Sequence, residues 1–468
     1  MKHKALSLVI IFSSLSMLFS CQNVNKNINK DLDTSKNVTL RIAIRDAQNA
    51  GLAQVASSFM RLYPNCVIEI EHLQDYDNTI FKRFSSKNSP IDIFFTDGPI
   101  NVNKNSSYLE YALNLTGRVD VSNTYKKIND DYLYQDGFDT RQYSIPLGAE
   151  VSGVFVNESI LEKYRLSTPT SYTTFVNECR ILSSTYGYTP IKGHPNYVGF
   201  NLFFPDMVNY VINSKTSAEL KSIVRTGGEE IKTMFADQLY LLYELADLKY
   251  YDYNTITSKD NLFLNDDKEE QAFNFLNITR GANNKYRAND TLGSSVFMPG
   301  SSALIPSINQ KITYYGLKTK YRFILPLVSK NSSAYLQTKS SIGINKNSSS
   351  IDWSKEFVNY LMKEENITSY CEKQGLMPNV SNVTNIIESK FELPENNIVF
   401  ESEINFPYTL TNNTETSFKE VMKDTLKTIS LANLPENMKT NPNGTKVLFP
   451  FERFLENTLY SVVDLIRK

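Results

Sequence analysis

Val38-Thr39-Leu40-Arg41-Ile42-Ala43-Ile44 repeats its large aliphatic side chains at every second position, the pattern of a β-strand. Leu52, Val55, Ala56, Phe59 and Tyr63 then follow helical spacing, and Pro64 stops the run. Cys66 to Glu71 is strand-like again, and Tyr76, Ile80 and Phe84 mark one face of a second helix. Ile91-Asp92-Ile93-Phe94-Phe95 suits a short, buried parallel strand. Strand, helix, strand, helix, strand within about sixty residues predicts the α/β class with an open sheet. Ligands of such sheets bind beyond the carboxyl ends of the strands. Those ends are Arg45 to Asn49 after the first strand and Thr96-Asp97-Gly98-Pro99 after the third.

The 468 residues are enough for two or three domains, each able to bury a core. Lysine plus arginine (49) balances aspartate plus glutamate (50), which excludes the broadly basic character of a chain that holds nucleic acid through its phosphates. An apolar content of 41% with 12% aromatics excludes a disordered chain. The four cysteines form no CxxC pair, which removes zinc-ribbon, thioredoxin-type and disulfide-dense readings. Cys66, Cys179 and Cys371 read as buried free thiols.

The amino terminus reads as an address. Lys2, His3 and Lys4 form a positive region and Ala5 to Phe19 an apolar stretch too short for a permanent membrane span, so residues 1–20 are expected to be an export signal. Leu18-Phe19-Ser20-Cys21 resembles the bacterial lipobox, in which the cysteine receives lipid. Cys21 is therefore the expected lipidation site. Residues 21–36, rich in Asn, Lys, Asp and Ser, form a flexible tether with a reach on the order of 20 Å. The expected location is the outer face of a bacterial cell membrane, with the body held just off it.

Motifs of catalysis and nucleotide binding are missing from the sequence. GxGxxG, GxxxxGK[ST], GxSxG and HExxH do not occur. Asp75 and Asp77 lack the glycine and terminal glutamate of a calcium loop and read as carboxylates at a helix start. His72 at a strand end and His194 in a Gly-His-Pro turn have no ligand partners at metal-binding spacing. No cofactor, metal or catalytic residue is assigned.

One ordered set of segments carries more. Tyr143-Ser144-Ile145-Pro146-Leu147-Gly148 precedes Gly153-Val154-Phe155-Val156-Asn157, then Leu161-Glu162-Lys163-Tyr164 and Pro169-Thr170-Ser171-Tyr172. Upstream stand Phe59 to Asn65 and Pro90 to Phe94; downstream follow Phe297-Met298-Pro299-Gly300-Ser301-Ser302-Ala303-Leu304, Ile324-Leu325-Pro326-Leu327, Ile342 to Asn345, Trp353 to Met362 and Gly375-Leu376-Met377-Pro378. In this order the segments resemble the family 1 extracellular solute-binding proteins, the maltose-binding-protein-like group, over Val38 to Pro378.

The resemblance implies a type II periplasmic-binding-protein-like fold, two α/β lobes joined by crossing strands that close over a ligand. It places residues 37–147 and 301–345 in the N-terminal lobe and 148–300 and 346–468 in the C-terminal lobe, with Trp353 packing the latter. Beyond Pro378, helical spacing predicts helices from Thr416 to Ile429 and from Phe451 to Ile466, which are expected to wrap the lobes. Ligand contacts are expected from Asp46, Gln48, Asp97, Gly98, Glu150, Ser152, Tyr197, Gly300 and Ser301, with Asp97 and Glu150 on opposite walls. Family members often carry Trp right after the first strand, whereas this chain has Arg45-Asp46. The implied function is the substrate-binding lipoprotein of an ABC importer, holding a sugar or oligosaccharide and passing it to a separate permease and ATPase. A secreted glycoside hydrolase using Asp97 and Glu150, and an adhesive surface lipoprotein, are the alternatives.

Overall fold

The structure is a computed structural model and describes residues 32–45, 50–86, 90–101, 105–130, 132–136, 139–193, 201–202, 205, 240, 243–245, 248, 250, 268–280, 286–288, 295–327 and 333–391, with short strands at 398–400, 407–409, 415–417, 438–440 and 446–448. Alternation and helical spacing give β1 (Val38–Ile44), α1 (Ala50–Leu62), β2 (Cys66–His72), α2 (Tyr76–Phe84) and β3 (Ile93–Thr96). Next come α3 (Lys126–Asp130), a hairpin of β4 (Leu133–Asp136) and β5 (Asp139–Gln142), the long strand β6 (Ile145–Asn157), α4 (Glu158–Lys163) and α5 (Tyr172–Tyr186). Helix α5 starts where Ser171 and Thr174 close a reciprocal capping box. After it lie α6 (Lys268–Phe275), a hairpin of β7 (Ile278–Arg280) and β8 (Tyr286–Ala288), β9 (Phe297–Ser301), α7 (Ile305–Tyr315) and β10 (Tyr321–Ile324). The described chain continues through β11 (Ala334–Ile344), α8 (Ile351–Leu361), α9 (Glu364–Gln374), β12 (Met377–Pro378), α10 (Val383–Phe391) and β13 (Ile398–Phe400).

The main sheet runs β10-β6-β11-β3-β1-β2, with β9 and β12 also on β6 and β13 on β11. β1 is parallel to β2 and β3, as their helical connections require. β6 changes partners along its length. Residues 145–151 pair antiparallel with β11, whereas 152–156 pair with β9 and 154–157 with β10. Gly153 makes this possible, because a Cβ there would lie 2.4 Å from the Phe323 ring and 2.5 Å from the Ile324 carbonyl oxygen.

Two cores flank this junction. Leu40, Ile42, Leu52, Phe59, Ile145, Leu147, Ile342, Phe357, Val358 and Leu361 belong to one, and Phe155, Phe275, Met298, Leu304 and Ile308 to the other. Helix α8 packs on the first core: Phe357 meets Phe59 edge-on at 5.2 Å, Trp353 meets Tyr63 at 5.4 Å, and the Tyr63 hydroxyl donates to Glu356 at 2.7 Å. Its apolar stripe packs on the Phe59 side of α1, so Trp353 and the elements from 351 to 391 pack on the first core. α7 and β10 pack on the second core through Leu304, Ile308, Tyr321 and Phe323, while Ala303 belongs to the first core and Phe323 packs against it as well.

Glu415–Ser417 is a strand paired with Pro407–Thr409, where a helix was expected to begin; the rest of that segment and Phe451 to Ile466 lie outside the described residues. Cys66, Cys179 and Cys371 are buried free thiols. Burial, and then the charge of Asp92, pushes the Cys66 thiol up to about 11. No helix among the described residues is long and apolar enough to cross a membrane.

Phe357 is fully buried against Phe59 across α8 and α1. Phe357→Ala is expected to cost about 3 to 5 kcal/mol in urea unfolding. A loss below about 1 kcal/mol would contradict the placement of α8 on this core.

Candidate functional site

The carboxyl ends of β1 and β3 meet around Arg45. Its guanidinium lies over the Tyr76 ring at 4.6 Å, grips Asp77 with both terminal nitrogens (3.0 Å for one), and reaches the Tyr108 hydroxyl at 3.4 Å and Asp97 at 3.5 Å. Burial disfavours the charged guanidinium, but the hydrogen bond to Asp77 and the charge of Asp97 outweigh it, and its pKa is held above the ordinary value. Asp77 thus acts as the anchor of Arg45 as well as a carboxylate in the first turn of α2. His72 ends β2 with Nε2 2.9 Å from the Arg45 carbonyl oxygen.

Asp97 and Gly98, adjacent in sequence, behave differently. The Asp97 side chain is 68% exposed beside Arg45. Gly98 is buried at φ 147°, a conformation open to glycine, and its carbonyl accepts from Thr96 Oγ1 at 2.8 Å and from Ser341 Oγ at 2.9 Å. It shapes the turn that presents Asp97.

A second polar group sits where β6 changes partners. Ser301 Oγ on β9 donates to Glu150 Oε2 at 2.8 Å, and Lys339 Nζ on β11 lies 3.5 Å from Glu150 Oε1. The Glu150 side chain is 13% exposed and Lys339 41%. Ser152 is buried and pairs in register with Ser301, and Gly300 is buried opposite Gly153. Ser152 and Gly300 therefore serve the strand junction, while Glu150 and Ser301 present polar atoms.

Glu150 pairs in register with Gln337 on β11, one residue before the β11 ladder on β6 ends at Val151. Counting ladder positions from Thr96↔Ser341 and Gln337↔Glu150, the Asp97 and Glu150 backbones lie on the order of 14 Å apart. Asp46, Gln48 and Tyr197 lie outside the described residues. Sequence reasoning assigned no role to Arg45 or Lys339. Arg45 carried a visible signal, a charged residue directly after the first strand, whereas Lys339 sits in the polar run Gln337-Thr338-Lys339-Ser340-Ser341, which gives no period to read.

Comparison with known proteins fits this architecture. Residues 44–367 match the bacterial extracellular solute-binding proteins, and the chain belongs to that family. No curated protein matches it in sequence. Among solved structures it is similar to the solute-binding protein RafE in complex with raffinose, at 12% identity over 92% of this chain and 100% of that one, with a TM-score of 0.56. Maltose-bound MalE3 of T. maritima is 14% identical over 92% and 100% of the two chains with a TM-score of 0.56. The GacH receptor of Streptomyces glaucescens is 14% identical over 92% and 99% with a TM-score of 0.55. At such identities the likeness defines the fold: it is the type II periplasmic-binding-protein-like fold. The family and these neighbours are binding proteins, not enzymes.

Arg45→Met would leave Asp77 and Asp97 without their shared cation and strip charged hydrogen bonds from a side chain that is 27% exposed. The expected cost is about 1 to 3 kcal/mol in denaturant unfolding. An unchanged midpoint would mean that the cluster is held by packing alone.

Proposed function

We propose that this protein is the substrate-binding lipoprotein of an ABC importer and that it holds a neutral, hydroxyl-rich solute, a sugar or oligosaccharide, for delivery to a separate permease and ATPase. The observation that carries the sugar reading is charge compensation: Asp97 stands beside Arg45 and Glu150 beside Lys339. Carboxylates offered together with cations accept from and donate to hydroxyls without demanding a counter-charge on the ligand. Family membership supports binding and delivery, and RafE and MalE3 carry raffinose and maltose in their solved structures.

The family's two-lobe fold supports closure over the ligand, with β6 and β11 absorbing the rotation. Anchoring through Cys21 is supported by the charged start, the apolar stretch and the Leu18 to Cys21 signature; residues 1–31 lie outside the described ones.

Titration against raffinose, stachyose, maltose and chito-oligosaccharides is expected to give saturable binding without turnover, and saturating sugar is expected to shrink the radius of gyration in small-angle scattering. Glu150→Ala and Asp97→Ala should each weaken that binding about five- to hundred-fold, the equivalent of about 1 to 3 kcal/mol. Normal affinity in both variants would overturn the site, and an unchanged scattering curve would overturn closure.

Metabolic labelling with palmitate tests the anchor. The wild type should take up label and Cys21→Ala should not; equal labelling would remove Cys21 as the lipidation site.

A further inference from the structure

β11 supplies the part of the candidate site that sequence reasoning passed over. Gln337 and Lys339 share one face of the strand, with Gln337 in register with Glu150 and Lys339 diagonal to it. At 3.5 Å the Lys339 contact with Glu150 is longer than an N–H···O bond, which falls near 2.7 to 3.2 Å. The ammonium is thus held beside the carboxylate by charge, half-exposed, with donors to spare. Glu150 is fixed from the other side by Ser301, which occupies Oε2.

The backbone beside Lys339 is strained. Ser340 sits at φ 61° in mid-strand, where the ladder to β6 skips from Lys339↔Gly148 to Ser341↔Pro146. A serine in the left-handed region persists only where its surroundings hold it, and such residues gather at binding sites. Here the Ser340 hydroxyl hydrogen-bonds that of Tyr370, a buried residue on α9, at 2.9 Å. The pivot that follows Lys339 is therefore fastened to the first core.

We propose that Lys339 is a ligand-contacting, specificity-determining residue, an inference that rests on the sugar-binding reading above. A carboxylate accepts and an ammonium donates, so Glu150 and Lys339 side by side read a vicinal diol. One hydroxyl donates to Glu150 and the neighbouring oxygen accepts from Lys339 Nζ. A solute lacking either oxygen leaves one of the two groups without its ligand partner.

The test is isothermal titration of the full chain, as wild type, Lys339→Met and Lys339→Arg, with raffinose, stachyose, maltose and chitobiose. For a sugar that binds wild type, Lys339→Met should bind at least tenfold more weakly while still unfolding in one cooperative thermal transition above the titration temperature. The order of preference among the sugars should also change. Arginine keeps the positive charge beside Glu150 but not the compact ammonium, and it should not restore the wild-type order. Equal affinities and order in Lys339→Met overturn the proposal and leave sugar binding intact. Full recovery of affinity and order in Lys339→Arg reduces Lys339 to a charge that positions Glu150 and overturns the contact. Failure of the wild type to bind any of the four overturns the sugar reading and this inference with it.

Discussion

The structure depends on one strand having all its backbone groups satisfied by two different sets of neighbours. β6 is buried along its whole length except at Glu150, so its N–H and C=O groups cannot turn to water and must be paired. β11 pairs with it through Val151, and β9 takes over at Ser152. The change of partner carries the chain from one core to the other without exposing an edge. It also leaves no space for side chains at close approaches: a Cβ on Gly148 would stand 2.6 Å from the Met377 carbonyl oxygen and 2.7 Å from the Cys371 sulfur. Glu150 is half-buried at this handover, where the strand's next neighbours change identity.

What the sequence revealed follows from this distinction between local and long-range constraint. Strands β1 to β3 and helices α1 and α2 were legible because each buries one face against its sequence neighbours, and the spacing of Leu52, Val55, Ala56 and Phe59 records that face directly. The crossing segment was legible as well, since Ile145 to Asn157 is apolar almost throughout. The core on which α7 and α8 each pack was not, because an amphipathic helix states that it has a partner but not which one. Trp353 and Phe357 look the same in sequence whether they meet Tyr63 and Phe59 or another core. β11 was recognised only at its carboxyl end, from Ile342 to Asn345. Its middle is polar and half-exposed, so no alternation marks Lys339 or Gln337 as sharing a face with Glu150.

The electrostatics of the site follow from burial. A carboxylate taken out of water is costly unless charge or hydrogen bonds replace its hydration. Glu150, at 13% exposure, has both a hydroxyl donor and a cation. Arg45 illustrates the same demand with the sign reversed: partly buried, it draws on Asp77, Asp97, the Tyr108 hydroxyl and the Tyr76 ring together. Glu150, fixed by Ser301, is therefore already oriented before a ligand arrives, which lowers the ordering cost that binding must overcome.

The partners of Glu150 tie this polar chemistry to the crossing itself. Ser301 belongs to β9, beside the second core, and Lys339 to β11, whose ladder runs on to β3 in the first. One carboxylate thus holds a group from each side of the point where β6 changes partners. Rotating one core relative to the other must alter at least one of those two contacts, because β6 is shared while β9 and β11 are not. A solute oxygen bound at Glu150 would compete with or reinforce these contacts directly. In the proposed reading, occupancy of the site and the relative position of the two cores are then linked through the same few atoms, without a longer relay between them.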